Sequence, residues 1–126
     1  MVKKPKDRCV VVLGASPKPV RYSYQAVKEL EHQGYRVIPV HPKAKRIDRV
    51  PVVPSLGAIT EPVDTLTLYV GADRSRGIID DILRLRPNRV IFNPGSESVE
   101  LERHLRQNHI AFERACTLVM LRTRQF

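Results

Sequence analysis

The chain alternates short, unbroken apolar runs with longer amphipathic stretches, and that alternation predicts its elements. Cys9–Leu13 is apolar at every position, the pattern of a strand buried on both faces, and it stops at Gly14. Arg21–Gln33 carries Tyr22, Ala26, Val27 and Leu30 at helical spacing, with Gly34 where a helix ends at positive φ. Tyr35–Val40 repeats the strand pattern and leads into the loop His41–Arg46. Val50–Val53 reads as a minor third strand before a helical turn after Ser55. Thr65–Val70 is the next strand. From about Asp73 the spacing of Ile78, Ile79, Ile82 and Leu83 predicts a helix that must end before Pro87. Arg89–Phe92 predicts a strand. The loop Asn93–Ser96 then opens a helix carrying Val99, Leu101 and Leu105, braced by Glu102 to Arg106 at i,i+4. Ile110–Leu121 reads as a last extended piece.

Strands alternating with helices, joined by loops that suit only right-handed crossovers, predict a doubly wound, three-layer Rossmann-like α/β domain with a parallel sheet of about five strands. A length of 126 residues predicts one domain over 1–126, with the polar, basic residues 1–8 as a flexible lead-in. There are no internal repeats and no low-complexity tracts. Hydrophobic residues make up 42% and charged residues 28%, with no apolar run long enough to span a bilayer, so a membrane helix and wholesale disorder are both excluded. The apolar stretch behind the basic start is too short for a secretory signal, and the two cysteines, Cys9 and Cys116, form no paired spacing. A reducing, cytoplasmic setting is the expectation.

Charge changes the picture. Lys and Arg total 22 against 13 Asp and Glu, a net +9, so the ligand is expected to be anionic: nucleic acid, a phosphorylated small molecule or a membrane surface. In an open parallel sheet, ligands bind beyond the carboxyl ends of the strands where strand order reverses. That rule selects Gly14–Ser23, His41–Arg46, Val70–Asp73 and Asn93–Ser96. The first loop runs into a helix and reads as a phosphate cradle: Gly14 permits close backbone approach, Ser16 and Ser23 offer hydroxyls, and Lys18 and Arg21 supply charge beside the helix N-terminus. The bland alternative is that Gly14 only makes the turn. The loop is neither the G-x-G-x-x-G dinucleotide fingerprint nor the G-x-x-x-x-G-K-[ST] P-loop. The second loop lacks the acid that NAD requires after the second strand and has His41, Pro42 and Lys43, then Lys45 and Arg46. Either it is a solvated basic loop, or it suits a phosphorylated ribose: NADP with its 2′-phosphate, or coenzyme A with its 3′-phosphate.

The run Val11-Val12-Leu13-Gly14-Ala15-Ser16-Pro17-Lys18-Pro19-Val20-Arg21-Tyr22-Ser23-Tyr24, followed by Gly34-Tyr35-Arg36-Val37-Ile38-Pro39-Val40-His41-Pro42-Lys43, resembles the small stand-alone CoA-binding proteins of Rossmann-type fold. These are similar to the amino-terminal CoA-binding domain of the succinyl-CoA synthetase α subunit. Ile91-Phe92-Asn93-Pro94-Gly95-Ser96-Glu97 and Ala115-Cys116-Thr117-Leu118-Val119-Met120-Leu121 extend the resemblance over nearly the whole chain. It implies coenzyme A or an acyl-CoA as ligand. Its adenosine diphosphate would be held by Gly14, Ala15, Ser16, Lys18, Arg21 and Ser23, with Pro17 and Tyr22 in the same loop. Adenine and the phosphorylated ribose would lie near Val40, His41, Pro42 and Lys43, and the pantetheine arm would pass Val70 and Asn93, Pro94 and Gly95. The chain departs from the family at His41, where many relatives carry Asn, and at Arg124, where Gly is frequent. The ligase domains and active-site histidine of the large synthetases lie outside the matched stretch, so the resemblance implies a binding, carrier or sensing protein without catalytic residues.

His32, His41, His104 and His109 show no metal-ligand spacing. Cys116 is read first as a buried apolar thiol, and second as a group near the crevice able to form a mixed disulfide with a bound thiol. Asp73, Asp80 and Asp81 read as helix-start and exposed-face residues, and no Gly-x-Ser-x-Gly elbow occurs. Nucleic acid remains the rival class because Lys3–Arg8 and Arg122–Arg124 are basic. Against it, the three Phe and four Tyr form no stacking stripe, Trp is absent, and no helix-turn-helix or zinc signature occurs. An NADP-dependent reductase would need the glycine fingerprint and a proton donor placed at the crevice.

Overall fold

The structure is a computed structural model that describes residues 4–126. Its centre is a five-stranded, fully parallel sheet in the order β2-β1-β5-β6-β7. The strands are β1 (Cys9–Leu13), β2 (Arg36–Val40), β5 (Thr65–Leu68), β6 (Arg89–Phe92) and β7 (Ala111–Arg114). Helices α1 (Tyr22–His32) and α5 (Thr117–Arg122) cover one face; α2 (Ala72–Arg76), α3 (Ile79–Leu85) and α4 (Val99–Gln107) cover the other. The expected doubly wound, three-layer architecture is therefore present. Along β1 the apolar run divides by the pleat: Val10 and Val12 pack toward Val27 and Leu30 of α1, while Val11 and Leu13 pack toward Ile82, Leu101 and Leu105. Gly34 sits at φ +90 behind α1, as its place after the helical pattern predicts. No helix is long and apolar enough to cross a membrane among the described residues.

Several segments differ from the sequence expectation. The extended piece Ile110–Leu121 is strand only over Ala111–Arg114 and then turns into α5. Thr117, Leu118, Met120 and Leu121 are buried there, because a helix folds those side chains back onto α1 and the sheet, where a continued strand would carry them past the sheet's end. The single helix expected from Asp73 is two, broken at Gly77 and Ile78 (φ −127°), and α3 ends with Arg86 in the left-handed region (φ 48°) just before Pro87. The minor strand at Val50–Val53 is a small antiparallel hairpin, β3 (Arg46–Ile47) with β4 (Val50–Pro51), turning at Asp48 (φ 54°). Beyond the hairpin, Val53 bridges Val40 of the main sheet. Glu102 does not brace Arg106. It accepts both bonds of a fork from Arg114 of β7, each 2.8 Å, because that geometry satisfies a nearly buried carboxylate. Arg106 instead lies 5.4 Å over the Phe112 ring.

Of the lead-in, residues 1–3 lie outside the described residues. Pro5–Asp7 form a 3-10 turn, and Arg8 is anchored, donating to Asp64 at 3.1 Å and sitting 5.3 and 5.2 Å from the rings of Tyr35 and Phe126.

Candidate functional site

The strand order reverses between β1 and β5, whose onward connections leave on opposite faces of the sheet: α1 on one side, α2 and α3 on the other. A cleft of ≈ 750 Å³ opens there. Its position follows from Gly14. With φ +83°, Gly14 passes so close to the end of β5 that a Cβ would stand 2.7 Å from Val70 Cγ1 and 3.1 Å from the Tyr69 carbonyl carbon. The Tyr69 N–H donates to the Leu13 carbonyl (2.9 Å) and the Ala15 N–H to that of Val40 (3.2 Å), so the loop is tied to both neighbouring strands.

Beyond Ala15 the loop closes on itself. The Ser16 hydroxyl accepts from the Lys18 N–H (3.1 Å), and the Arg21 N–H donates to the Lys18 carbonyl (3.0 Å), delivering the chain to α1. No side chain caps this helix, and its first internal amide bond runs from Gln25 to the Arg21 carbonyl (3.1 Å). The amides of Tyr22, Ser23 and Tyr24 have no protein partner among the described residues. Lys18 and Arg21 beside them, and Arg74 across the cleft, form no ion pair among those residues, whereas Arg8, Arg36, Arg76, Arg84 and Arg114 all do. Unpaired amides at the positive end of a helix dipole, flanked by unpaired cations, are an arrangement that can accept an anion.

A model of the CoA binding domain family matches residues 8–122. The chain belongs to the CoA-binding-domain family. An uncharacterized protein, YneT, from Bacillus subtilis (strain 168) is 28% identical over 78 residues, 62% of this chain and 58% of that protein, so the match spans a little over half of the relative's length. The crystal structure of an uncharacterized protein shares 39% identity and a TM-score of 0.89, covering 94% of this chain and 98% of that one. The fold also matches part of a dinucleotide-forming acetyl-coenzyme A synthetase 1 from Ca. Korarchaeum cryptofilum, solved with phosphate and ADP: TM-score 0.68 at 23% identity, covering 82% of this chain and 24% of that one.

Within this cleft the structure gathers most of the residues expected from sequence. Gly14–Lys18, Arg21–Ser23, Val40–Pro42 and Val70 all line it. Lys43, Asn93, Pro94 and Gly95 lie outside the lining. Asn93 is buried with its amide occupied: Nδ2 donates to Thr67 Oγ1 (2.6 Å) and the Leu68 carbonyl (2.8 Å), and Oδ1 accepts from the Thr117 N–H (2.9 Å), capping α5. His41 shapes its own loop, because Nδ1 accepts from the Lys43 N–H (3.0 Å) and the Ala44 N–H (2.8 Å), which puts the ring proton on Nε2. An Asn side-chain oxygen reaches the same two amides. His41→Asn is therefore expected to keep the loop, while His41→Ala loses about 1 kcal/mol. Thermal melts and hydrogen exchange at Lys43 and Ala44 check this; equal protection in wild type and His41→Ala would refute it.

Sequence reasoning missed Pro54–Leu56, Tyr69, Arg74, Ile78 and Asp81, all of which line the cleft. Arg74 lies one residue beyond the flagged loop Val70–Asp73 and was within reach of the strand-end rule. Leu56 and Asp81 had no local signal, since only packing of the turn Leu56–Ala58 against α3 brings them together. Among the described residues the Tyr69 hydroxyl is buried without a hydrogen-bond partner while its neighbours Thr67 and Thr117 bond each other at 2.7 Å, and burial pushes its pKa up to about 12. The run Tyr24-Gln25-Ala26-Val27-Lys28 places a Tyr-x-x-x-Lys on α1, but neither end of it lines the cleft. Cys116 heads α5 outside the lining. Cys9 is a buried thiol at the opposite end of the sheet, raised to about 12 by burial and by Glu61, which makes it a poor nucleophile.

Proposed function

We propose that this chain binds coenzyme A or an acyl-CoA in the β1/β5 cleft, as a binding, carrier or sensing protein of one domain in the cytoplasm. The observation that carries the reading is the set of unpaired amides at Tyr22–Tyr24 between Lys18 and Arg21, in a chain of the CoA-binding-domain family. On this reading the diphosphate takes the amides, with Arg21 beside it. The 3′-phosphate takes Lys43, which follows cleft-lining Pro42 and forms no ion pair among the described residues. The pantetheine arm runs over Val70 toward the turn Asn93–Gly95. Among the described residues that line the cleft, His41 accepts from its own loop through Nδ1 and Asp81 pairs with Arg84 through Oδ1.

Calorimetric titration with CoA and dephospho-CoA tests the assignment. Arg21→Ala is expected to weaken both ligands by on the order of tenfold, and Lys43→Ala to weaken CoA by a similar factor while sparing dephospho-CoA, because a charge-assisted bond to phosphate is lost in each case. Equal losses for both ligands in both variants would overturn the phosphate assignment. Failure of the unaltered chain to bind CoA would overturn the reading itself.

A further inference from the structure

We infer that Asp81 reads the amino edge of the ligand's adenine, a specificity contact that rests on the CoA reading above. The cleft has two unlike walls. One presents the Tyr22–Tyr24 amides, Lys18 and Arg21, and suits phosphate. The other is formed where the turn Leu56–Ala58 packs on α3, and it presents Leu56 and Ile78, with Val40 and Val70 nearby. Asp81 stands in that apolar wall as the one carboxylate lining the cleft among the described residues.

An acid in a cleft built for a polyanion needs a reason. An ionised carboxylate only accepts hydrogen bonds and repels phosphate, so it selects a neutral, donor-bearing part of the ligand. Arg84, one turn along α3, pairs with Asp81 through Oδ1, which fixes the direction of the carboxylate. Oδ2 has no protein partner among the described residues. CoA carries donors on adenine, on its hydroxyls and on the pantetheine amides, and the fold chooses among them. The His41 N–H donates to the Val53 carbonyl (3.1 Å), which fastens the loop expected to take the 3′-phosphate directly to the segment leading into Leu56. A base carried on that ribose falls against the Leu56 and Ile78 wall. Its faces are apolar, as the wall requires, and its 6-amino group is the donor that an acceptor-only side chain can take.

Calorimetry with adenosine 3′,5′-bisphosphate and its 6-oxo counterpart, inosine 3′,5′-bisphosphate, tests this. The unaltered chain is expected to prefer the amino form by on the order of tenfold or more, because the 6-oxo group turns a charged acceptor's partner into a second acceptor. In Asp81→Asn, whose amide donates to the 6-oxo group, the preference should vanish or reverse. Arg84→Ala, which leaves the carboxylate in place, should retain it. No preference in the unaltered chain, or an undiminished preference in Asp81→Asn, overturns the inference while CoA binding stands. The unaltered chain's ratio decides even if a variant fails to fold, and failure to bind CoA at all removes both readings.

Discussion

Gly14→Ala is expected to destabilise the fold by about 3 kcal/mol and to weaken CoA binding. Two costs combine. A φ of +83° is strained for any residue with a Cβ, by about 1–2 kcal/mol. The new methyl also lands 2.7 Å from Val70 Cγ1 and 3.1 Å from the backbone carbon of Tyr69, and overpacking of this kind costs about 1–3 kcal/mol. Val70 has little room to yield, being 5% exposed in the core that underlies the cleft. Relief therefore comes from moving the Gly14–Arg21 loop, which carries the amides of α1 out of register with the diphosphate. Gly95→Ala is the control: it has the same sign of φ (+93°) but open space where the Cβ would go, so only the conformational strain of about 1 kcal/mol applies. Urea unfolding midpoints on both variants, and a CoA titration on Gly14→Ala, check this. Matching midpoints for the two would show that the β1/β5 approach is looser than this geometry.

Asn93→Ala is expected to cost a further large increment, about 3 kcal/mol, with most of the effect on folding. The side chain is 2% exposed and makes bonds of 2.6, 2.8 and 2.9 Å to Thr67, Leu68 and Thr117. Truncation strands the Leu68 carbonyl and the Thr117 N–H in the interior, and each buried unsatisfied group costs about 1–3 kcal/mol. It also removes the tie that starts α5, so amide protection in Thr117–Arg122 should fall with the denaturation midpoint. The alternative, expected from the sequence resemblance, is a residue whose main work is on the pantetheine arm. In that case the variant would lose CoA affinity at nearly unchanged stability. Measuring both quantities on one preparation separates the two roles.

The cleft was only partly legible before the fold was known. Gly14, Lys18 and Arg21 announce themselves because a glycine behind an unbroken apolar run, followed by cations and a helical pattern, is a local signal. His41 was rightly placed on the loop, yet its task there, accepting from the Lys43 and Ala44 amides, depends on a rotamer that no pattern encodes. Asn93 was recognised as a loop residue at a strand end, but its side chain points inward, because α5 starts where an extended segment was expected. That misreading has a plain origin. Thr117–Leu121 is a short run of apolar and β-branched residues, and such a run satisfies strand and buried-helix patterns alike.

What the sequence by itself determined is what acts over a few residues: which stretches are apolar, where Gly34 and Pro87 stop helices, that Gly14 must turn, and that cations outnumber acids around the first loop. Tertiary structure alone decided which face of β1 meets which helix, that Glu102 bonds Arg114 in place of Arg106, and that Leu56, Arg74 and Asp81 line one cleft. Backbone preference and hydrophobic periodicity are properties of neighbouring residues. Partners brought together by crossovers are chosen by packing and by the need to satisfy buried polar groups, and those demands exist only once the sheet and its two helical layers have closed.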